Sequence, residues 1–487
     1  MKRLLNKLTK IKNIPCINLI CILALIPILR IIMPFAYDND FWFTINQGRY
    51  VIEYGFPIKA IGTIHNLNFL YQSWGSGVLF YLIYHYLGKY GIVTLLIIVM
   101  ELISYFFYKL CFTVSNNKRL SLIISIIVMV LYNIYFFNTR PHIFTTLNLV
   151  LMFYLLEKYL KTLNKKYLYL LPLISLLQIN MHGIYLIVLL VIISPYLINS
   201  FQFKVGKVES SGYSKKTLFL TFIIMLMVSL INPYGYKTII YGFSSYGSSS
   251  IMNNIIFELL APNFHQSMGK LFISVIILLY VLYFSSKKNI PIRYYLLLIG
   301  TSYLALDANK SFWLFIVSSF FPLTFIFKDS LFAEKEIQYS KRYYFTQYTI
   351  CITVAIVIIL NLSFAKLPDT HKFADYLDSH VEDKQAIKLY TGFNEGSYLE
   401  WRGYNCYIDP RAEIFLKSNN HTEDIMEEYH NVDTLKLDYR EFIEKYQFDY
   451  MLFSKKDETL YHLFLINPLN YQNVLEDENY VLYQKGE

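Results

Sequence analysis

Two carboxylates stand two positions apart where the first membrane-length apolar run of the sequence ends. Asp38 and Asp40 follow the run 17–36 and lie within the aromatic stretch 37–43. Asp is a favoured N-cap residue, so the pair could simply end one helix and begin the next. The pair could also supply a general base, or bind a metal or a substrate, at the surface of a bilayer. Asp38 and Asp40 are therefore the first candidates for chemistry, and both interpretations stay open.

The composition is typical of a helical protein that crosses a membrane many times. Of the 487 residues, 55% are hydrophobic, and the chain contains 45 Tyr and 38 Phe. Long apolar runs alternate with short Lys- or Asn-rich breaks, which is the pattern of a multi-spanning protein. About eleven crossings are predicted, at 17–36, 91–113, 119–137, 143–158, 167–181, 184–199, 217–231, 270–285, 291–306, 311–327 and 344–364.

The charge distribution divides the chain into two predicted domains. Residues 1–365 carry a net charge of +20 and residues 366–487 a net charge of −11, which together give the overall +9. The basic excess comes from loops between apolar runs, so no nucleic-acid partner is indicated. From residue 366 onward, helix and strand patterns alternate and predict a small α/β domain. Its helices are predicted near 371–381, 396–402, 422–429 and 439–446, and its strands near 386–391, 404–408, 450–453 and 480–483. The five Cys have no paired spacing and suggest neither a disulfide framework nor a metal cluster.

The lysines also predict an orientation. The basic N-terminus and the Lys-rich loops all fall on the cytoplasmic side if the segment 74–88 lies along the outer surface instead of crossing. The C-terminal domain is then external, and 37–90 forms an outer loop with two interfacial helices, 40–54 and 74–88. The turns with unusual polar residues all fall on the outer side, where we expect the chemistry: 38–40, 138–142, 180–183, 232–235, 257–264 and 307–310.

In this arrangement the chain resembles the GT-C superfamily of membrane glycosyltransferases, which includes protein O-mannosyltransferases and lipid A aminoarabinose transferases. The shared features are a first span that ends in acids, a long outer loop with two interfacial helices, a many-span bundle and an external C-terminal domain. The resemblance covers nearly the whole chain and is narrower to a bacterial branch of the superfamily. The stretches that match this branch are 40–42 with 48–49, 140–142, 182–183, 232–235 and 408–413.

The resemblance implies transfer of a sugar from a polyprenyl-phosphate carrier to a glycan, lipid or protein acceptor outside the cytoplasmic membrane of a bacterium. An inverting displacement needs a carboxylate to take the acceptor's proton, and we assign this to Asp38. Asp40 would orient it, bind the acceptor or hold a divalent ion such as Mg or Mn; the metal requirement stays open. Cations must surround the departing lipid phosphate. The candidates for this role lie at outer helix ends: Arg140, His142, His182 and Lys310.

A structural role stands beside each functional one. Arg140 could snorkel to the interface, the histidines could be packed residues at helix ends, and the lysine could be a plain loop residue. Glu258 either lines the acceptor site or belongs to an interfacial helix. Asp409 and Arg411 could bind the acceptor, or they could form an internal ion pair that fixes their loop.

Two other classes of function compete with the glycosyltransferase. A transporter or flippase of a lipid-linked or polar solute would need charged or broken-helix positions near the bilayer midplane, and the sequence has few. A non-catalytic scaffold with an external recruiting domain would not depend on Asp38. The outward clustering of polar turns favours the enzyme over the transporter, whereas only experiment separates the enzyme from the scaffold.

Overall fold

In the computed structural model, 64% of the described residues are helical, and a small sheet lies in the C-terminal part. The structure describes residues 39–136, 138–210, 213–245, 256–329, 367–456 and 459–486. Asp38, the predicted spans 17–36 and 344–364, and the predicted domain boundary at 365/366 lie outside these ranges.

Most of the described helices before the C-terminal sheet follow the predicted apolar runs, whereas Tyr236–Ser245 lies outside them. Three 3-10 turns, at Gly183–Tyr185, Phe257–Leu259 and Asn309–Ser311, connect or precede some of them. A three-stranded sheet of two-residue strands lies among the Lys-rich loops: β1 (Lys204–Val205), β2 (Val208–Glu209) and β3 (Ile290–Pro291). The helices are α1 (Asn39–Tyr54), α2 (Trp74–Ser115), α3 (Lys118–Phe136), α4 (His142–Thr162), α5 (Lys166–Tyr169), α6 (Leu171–His182), α7 (Leu186–Ile193), α8 (Pro195–Ile198), α9 (Lys215–Val228), α10 (Tyr236–Ser245), α11 (Ser267–Phe284), α12 (Ile292–Asp307), α13 (Phe312–Phe320) and α14 (Leu323–Ile326).

Five helical runs in the described ranges are long and apolar enough to cross a membrane. They are α2, α4, Lys166–Ile198, α11 and Asn309–Ile326. Helices α9 and α12 coincide with predicted crossings, but they have 14 and 16 residues, short of the ~20 that a straight crossing needs. The structure therefore supports a membrane protein with several apolar helices, and the full set of eleven crossings stays a prediction.

Helix α2 is longer than one crossing requires and is broken at Gly88. Its 42 residues would extend about 63 Å at ~1.5 Å per residue, twice the ~30 Å of a hydrocarbon core. Gly88 has φ 57° and ψ −153°, a conformation that only glycine adopts without strain. The break separates the segment 74–88, predicted to be interfacial, from a helix of about 27 residues that suffices for one crossing.

The C-terminal part is an α/β unit built on one mixed sheet. Its elements are α15 (His371–His380), β4 (Lys388–Thr391), α16 (Gly396–Trp401), β5 (Asn405–Cys406), α17 (Lys417–Asn420), α18 (Ile425–Asp433), α19 (Tyr439–Tyr446), β6 (Tyr450–Ser454), α20 (Thr459–Ile466), β7 (Tyr471–Glu476) and β8 (Tyr480–Lys485). The strand order is β5-β4-β6-β8-β7, with β4 parallel to β5 and β6, and β8 antiparallel to both its neighbours. Most of these helices and strands lie where the sequence predicts them, although α17, α20 and β7 were not predicted.

The loop between α1 and α2 attaches to the edge of this sheet beside β5. The Cys406 N–H donates to the carbonyl of Gly62 at 2.8 Å, and the Ile64 N–H donates to the carbonyl of Cys406 at 3.0 Å. A second contact joins α16 to α1, where the rings of Trp42 and Tyr398 lie 4.8 Å apart. The C-terminal unit is therefore fixed next to the helix that carries Asp40.

Candidate functional site

Arg140 lies between two carboxylates that are far from it in sequence. Its Nε is 3.1 Å from Oδ2 of Asp40, and its Nη1 is 2.8 Å from Oε1 of Glu258. The side chains of Arg140 and Asp40 are 22% and 23% exposed, whereas that of Glu258 is 46% exposed. The guanidinium thus pairs through Nε with the less exposed carboxylate, Asp40, and through Nη1 with the more exposed one, Glu258.

The surrounding segments explain why these three side chains meet. Asp40 is in the first turn of α1, where a negative charge interacts favourably with the helix dipole. Arg140 occupies the turn before α4, whose N-cap is Pro141. Glu258 is in the 3-10 turn Phe257–Leu259. That turn is held beside the 3-10 turn Asn309–Ser311 by the Asn309 N–H, which donates to the Leu260 carbonyl at 2.9 Å.

Lys310 adds a second cation to this cluster. It is half-buried, and within the described ranges it makes no hydrogen bond or ion pair. Glu258, Glu413 and Arg140 all lie close enough to act on it electrostatically. Asp40, Glu258, Arg140 and Lys310 together carry two negative and two positive charges, so an anion that replaces one carboxylate would find two cations nearby.

The two predicted histidines occupy packed, hydrogen-bonded positions. Nδ1 of His182 is 2.8 Å from Oγ1 of Thr145, and Nε2 of Gln178 donates to the His182 carbonyl at 2.6 Å. Nε2 of His142 is 2.5 Å from the carbonyl oxygen of Phe136. His142 and Lys310 both lie within electrostatic range of the His182 ring. The histidines therefore adjoin the cluster, in the packed helix-end setting that the sequence left open as their structural role.

Asp409 and Arg411 form a buried ion pair, which is the structural alternative weighed for them. Nη2 of Arg411 is 2.6 Å from Oδ2 of Asp409 and 2.9 Å from Oε2 of Glu400, and it also donates to the Ile61 carbonyl at 2.9 Å. Arg411 is 2% exposed and both carboxylates are 0% exposed. Burial raises the pKa of Glu400 well above its usual value, although Arg411 opposes this shift. The triad fixes its loop, and binding of an acceptor by Asp409 or Arg411 stays a prediction.

Glu413 is a neighbour of the cluster to which the sequence assigned no role. It follows Arg411 in the matched stretch 408–413, and the charge of Lys310 acts on its carboxyl. Burial raises the pKa of Glu413. Lys310 and Glu413 are far apart in sequence, so no local pattern could have indicated that they lie within electrostatic range of each other.

A metal site is not formed by the residues that the structure describes. Among them, no group of three or more His, Cys, Asp or Glu side chains could hold an ion. Asp38 lies outside the described ranges, so a divalent ion bound by Asp38 and Asp40 stays a prediction.

Comparison with known proteins assigns the chain to no family. No protein-family model and no curated protein matches the sequence. The resemblance to GT-C glycosyltransferases therefore rests on the residues, their order along the chain and the predicted topology.

Proposed function

We propose that the protein transfers a sugar from a polyprenyl-phosphate-linked donor to a cell-surface acceptor at the outer face of the cytoplasmic membrane. The observation that carries the proposal is Arg140, which contacts Asp40 and Glu258 and lies within electrostatic range of Lys310. A departing lipid phosphate gains negative charge in the transition state, and guanidinium and ammonium groups stabilise it best. A carboxylate beside these cations can take up the proton of the acceptor hydroxyl.

The proposed reaction is a single inverting displacement. Asp38 takes the proton of the acceptor hydroxyl as its oxygen attacks the anomeric carbon. The bond from that carbon to the phosphate oxygen breaks, and the lipid phosphate leaves with the electron pair beside Arg140 and Lys310. Asp40 is a positioning residue, because its carboxylate holds the Nε edge of Arg140.

The proposal includes a topology. The N-terminus is cytoplasmic, about eleven helices cross the membrane, and 74–88 lies in the outer interface. The α/β unit is external, next to α1. Each polar turn that contributes to the cluster then faces the outside of the cell, where polyprenyl-linked sugars meet their acceptors.

Among the described residues, the ion pair of Glu157 with Arg293 gives the transport alternative no support. The Nε–Oε1 and Nη2–Oε2 distances of this pair are 2.9 and 3.0 Å. The Tyr196 hydroxyl donates to the same carboxylate at 2.9 Å. The side chains of Glu157 and Arg293 are 5% and 8% exposed, and their charges are paired with each other, which is typical of an internal ion pair.

The test is substitution in the native host, with surface glycans profiled by mass spectrometry. We expect Asp38→Asn, Asp40→Asn and Arg140→Gln each to remove the sugar unit that deletion of the gene removes, with losses of about 100-fold or more. Glu382→Gln is the matched control, because this exposed acid lies in the loop after α15, outside the cluster. If membrane-inserted Asn variants restored the glycans that deletion removes, the carboxylates would be helix caps and the scaffold would be the better explanation.

A further inference from the structure

Glu258 occupies the edge of Arg140 that a donor phosphate would need. Both of its carboxylate oxygens lie 2.8 Å from Nη1. Such charge-assisted contacts resemble those of an arginine with a phosphate, because both ligands offer anionic oxygens at hydrogen-bonding distance.

The two carboxylates on Arg140 differ in how firmly they are held. Asp40 is only 23% exposed and stands in α1, a helix of 16 residues packed against α2. Glu258 is twice as exposed, and its 3-10 turn has only three residues. Exposed ion pairs contribute little to stability, so Glu258 is the partner that is more easily exchanged.

Lys310 supplies the second reason. It is a half-buried cation with no ion pair among the described residues, and Glu258 and Arg140 both act on it electrostatically. Charges inside proteins are usually paired at hydrogen-bonding distance. An anion that bound between Arg140 and Lys310 would pair with both, whereas within the described ranges Glu258 forms an ion pair with Arg140 and none with Lys310.

We propose that Glu258 is a displaceable carboxylate. It pairs with Arg140 before the donor binds, and the phosphate of the incoming lipid then replaces it as the partner of Arg140. This inference rests on the proposed function, since it concerns the donor phosphate of that reaction. It changes the assignment of Glu258 from acceptor binding to competition with the donor. When the lipid phosphate binds, the Glu258 carboxylate moves into water and the phosphate lies between Arg140 and Lys310.

The inference predicts that removal of the Glu258 charge strengthens phosphate binding. Purified full-length protein in detergent is titrated with dodecyl phosphate, with inorganic phosphate and with dodecanol. We expect Glu258→Gln and Glu258→Ala to bind dodecyl phosphate about 3- to 10-fold more tightly than the wild type, an effect that salt reduces. Arg140→Gln should bind at least 10-fold more weakly. Glu382→Gln, which removes an exposed acid from the loop after α15, should leave the affinity unchanged.

The outcomes separate the inference from the proposed function. If binding depends on Arg140 but the Glu258 variants bind no more tightly than the wild type, the displacement is wrong and the donor site stands. If the wild type binds dodecyl phosphate no better than dodecanol, both the donor site and the displacement are wrong. Tight binding of inorganic phosphate alone would indicate a site for the free ion, which also contradicts a lipid donor. A melting temperature for each variant establishes that it is folded.

Discussion

Arg411 is an almost fully buried charged residue near the candidate site. Its partners, Asp409 and Glu400, are also buried, so two carboxylates share one guanidinium away from water. A buried ion pair adds little to stability when compared with an apolar replacement, but removal of one partner leaves an uncompensated charge. The triad therefore acts mainly by specifying how the loop after β5 is held.

We predict that Arg411→Gln destabilises the protein by about 3–5 kcal/mol, because Asp409 and Glu400 would be buried without a cation. Glu400→Gln should cost less, since one carboxylate would keep its arginine. The measurement is thermal unfolding of the detergent-purified protein, followed by intrinsic fluorescence. Arg440→Gln, at an exposed position in α19, is the control. Equal melting temperatures for Arg411→Gln and Arg440→Gln would contradict the prediction.

The sequence could suggest two of the three residues of this triad. Asp409 and Arg411 are two positions apart, a spacing at which an acid and an arginine can pair, so an ion pair was a reasonable hypothesis. Glu400 is in a different helix, and the Ile61 carbonyl that also binds Arg411 is 350 positions away. Such partners depend on tertiary contacts, which no local pattern encodes. For the same reason, the sequence indicated neither a role for Glu413 nor the contact of Glu258 with Arg140.

At the scale of elements, the site depends on a close approach of α1 to α2. A Cβ added to Gly48 would lie 2.1 Å from the carbonyl oxygen of Gly77, and one added to Gly77 would lie 2.8 Å from the carbonyl oxygen of Thr44. The Tyr71 hydroxyl donates to that Thr44 carbonyl at 3.1 Å. Glycines thus let the two backbones touch, as small residues do between membrane helices. This contact sets the position of α1, and with it that of Asp40.

We predict that Gly48→Ala lowers stability by about 1–3 kcal/mol, because the methyl group must push the two helices apart. Gly300→Ala is the matched control, since that glycine is also helical and an added Cβ would meet no atom within 4 Å. The same thermal unfolding assay distinguishes the two variants. A melting temperature for Gly48→Ala at or above that of Gly300→Ala would show that the contact between α1 and α2 tolerates a side chain at this position.

Two of the elements that the sequence failed to predict, α20 and β7, have a physical explanation. Helix α20 is eight residues of mostly apolar sequence, a length and composition that fit a helix or a strand equally well. Strand β7 lies at the edge of the sheet, so its outer side chains face water and its sequence lacks a run of apolar residues. By contrast, α19 combines an acidic N-cap with strong apolar periodicity and was predicted at its observed bounds, Tyr439–Tyr446.

At the scale of the whole molecule, the loop between α1 and α2 joins the helical part to the C-terminal unit. His65 is central to this junction. Its Nε2 lies 2.9 Å from the carbonyl oxygen of Tyr407, and its ring contacts Tyr407, Phe415 and Tyr446. The two partners of this hydrogen bond are 342 positions apart, so the sequence predicted an outer loop and a separate α/β domain without their attachment.

The junction should weaken in acid because His65 is buried in its neutral form. Burial lowers the pKa of His65 from 6.5 to about 4, against the raising effects of the Tyr407 carbonyl and of Glu428. The unfolded chain takes up this proton near pH 6.5, whereas the folded protein takes it up only near pH 4. Stability therefore falls as the pH drops through this window, by up to about 1.4 kcal/mol per pH unit from this residue.

We predict that His65→Gln flattens this part of the pH dependence. The glutamine keeps an N–H donor for the Tyr407 carbonyl but takes up no proton, so it removes only the contribution of His65. The melting temperature of the wild type should fall more steeply than that of His65→Gln between pH 6.5 and pH 4. His462→Gln, an exposed histidine in α20, should retain the wild-type slope. Because all other titrating groups are common to these proteins, parallel curves for the wild type and His65→Gln would mean that the junction accommodates the charged imidazole.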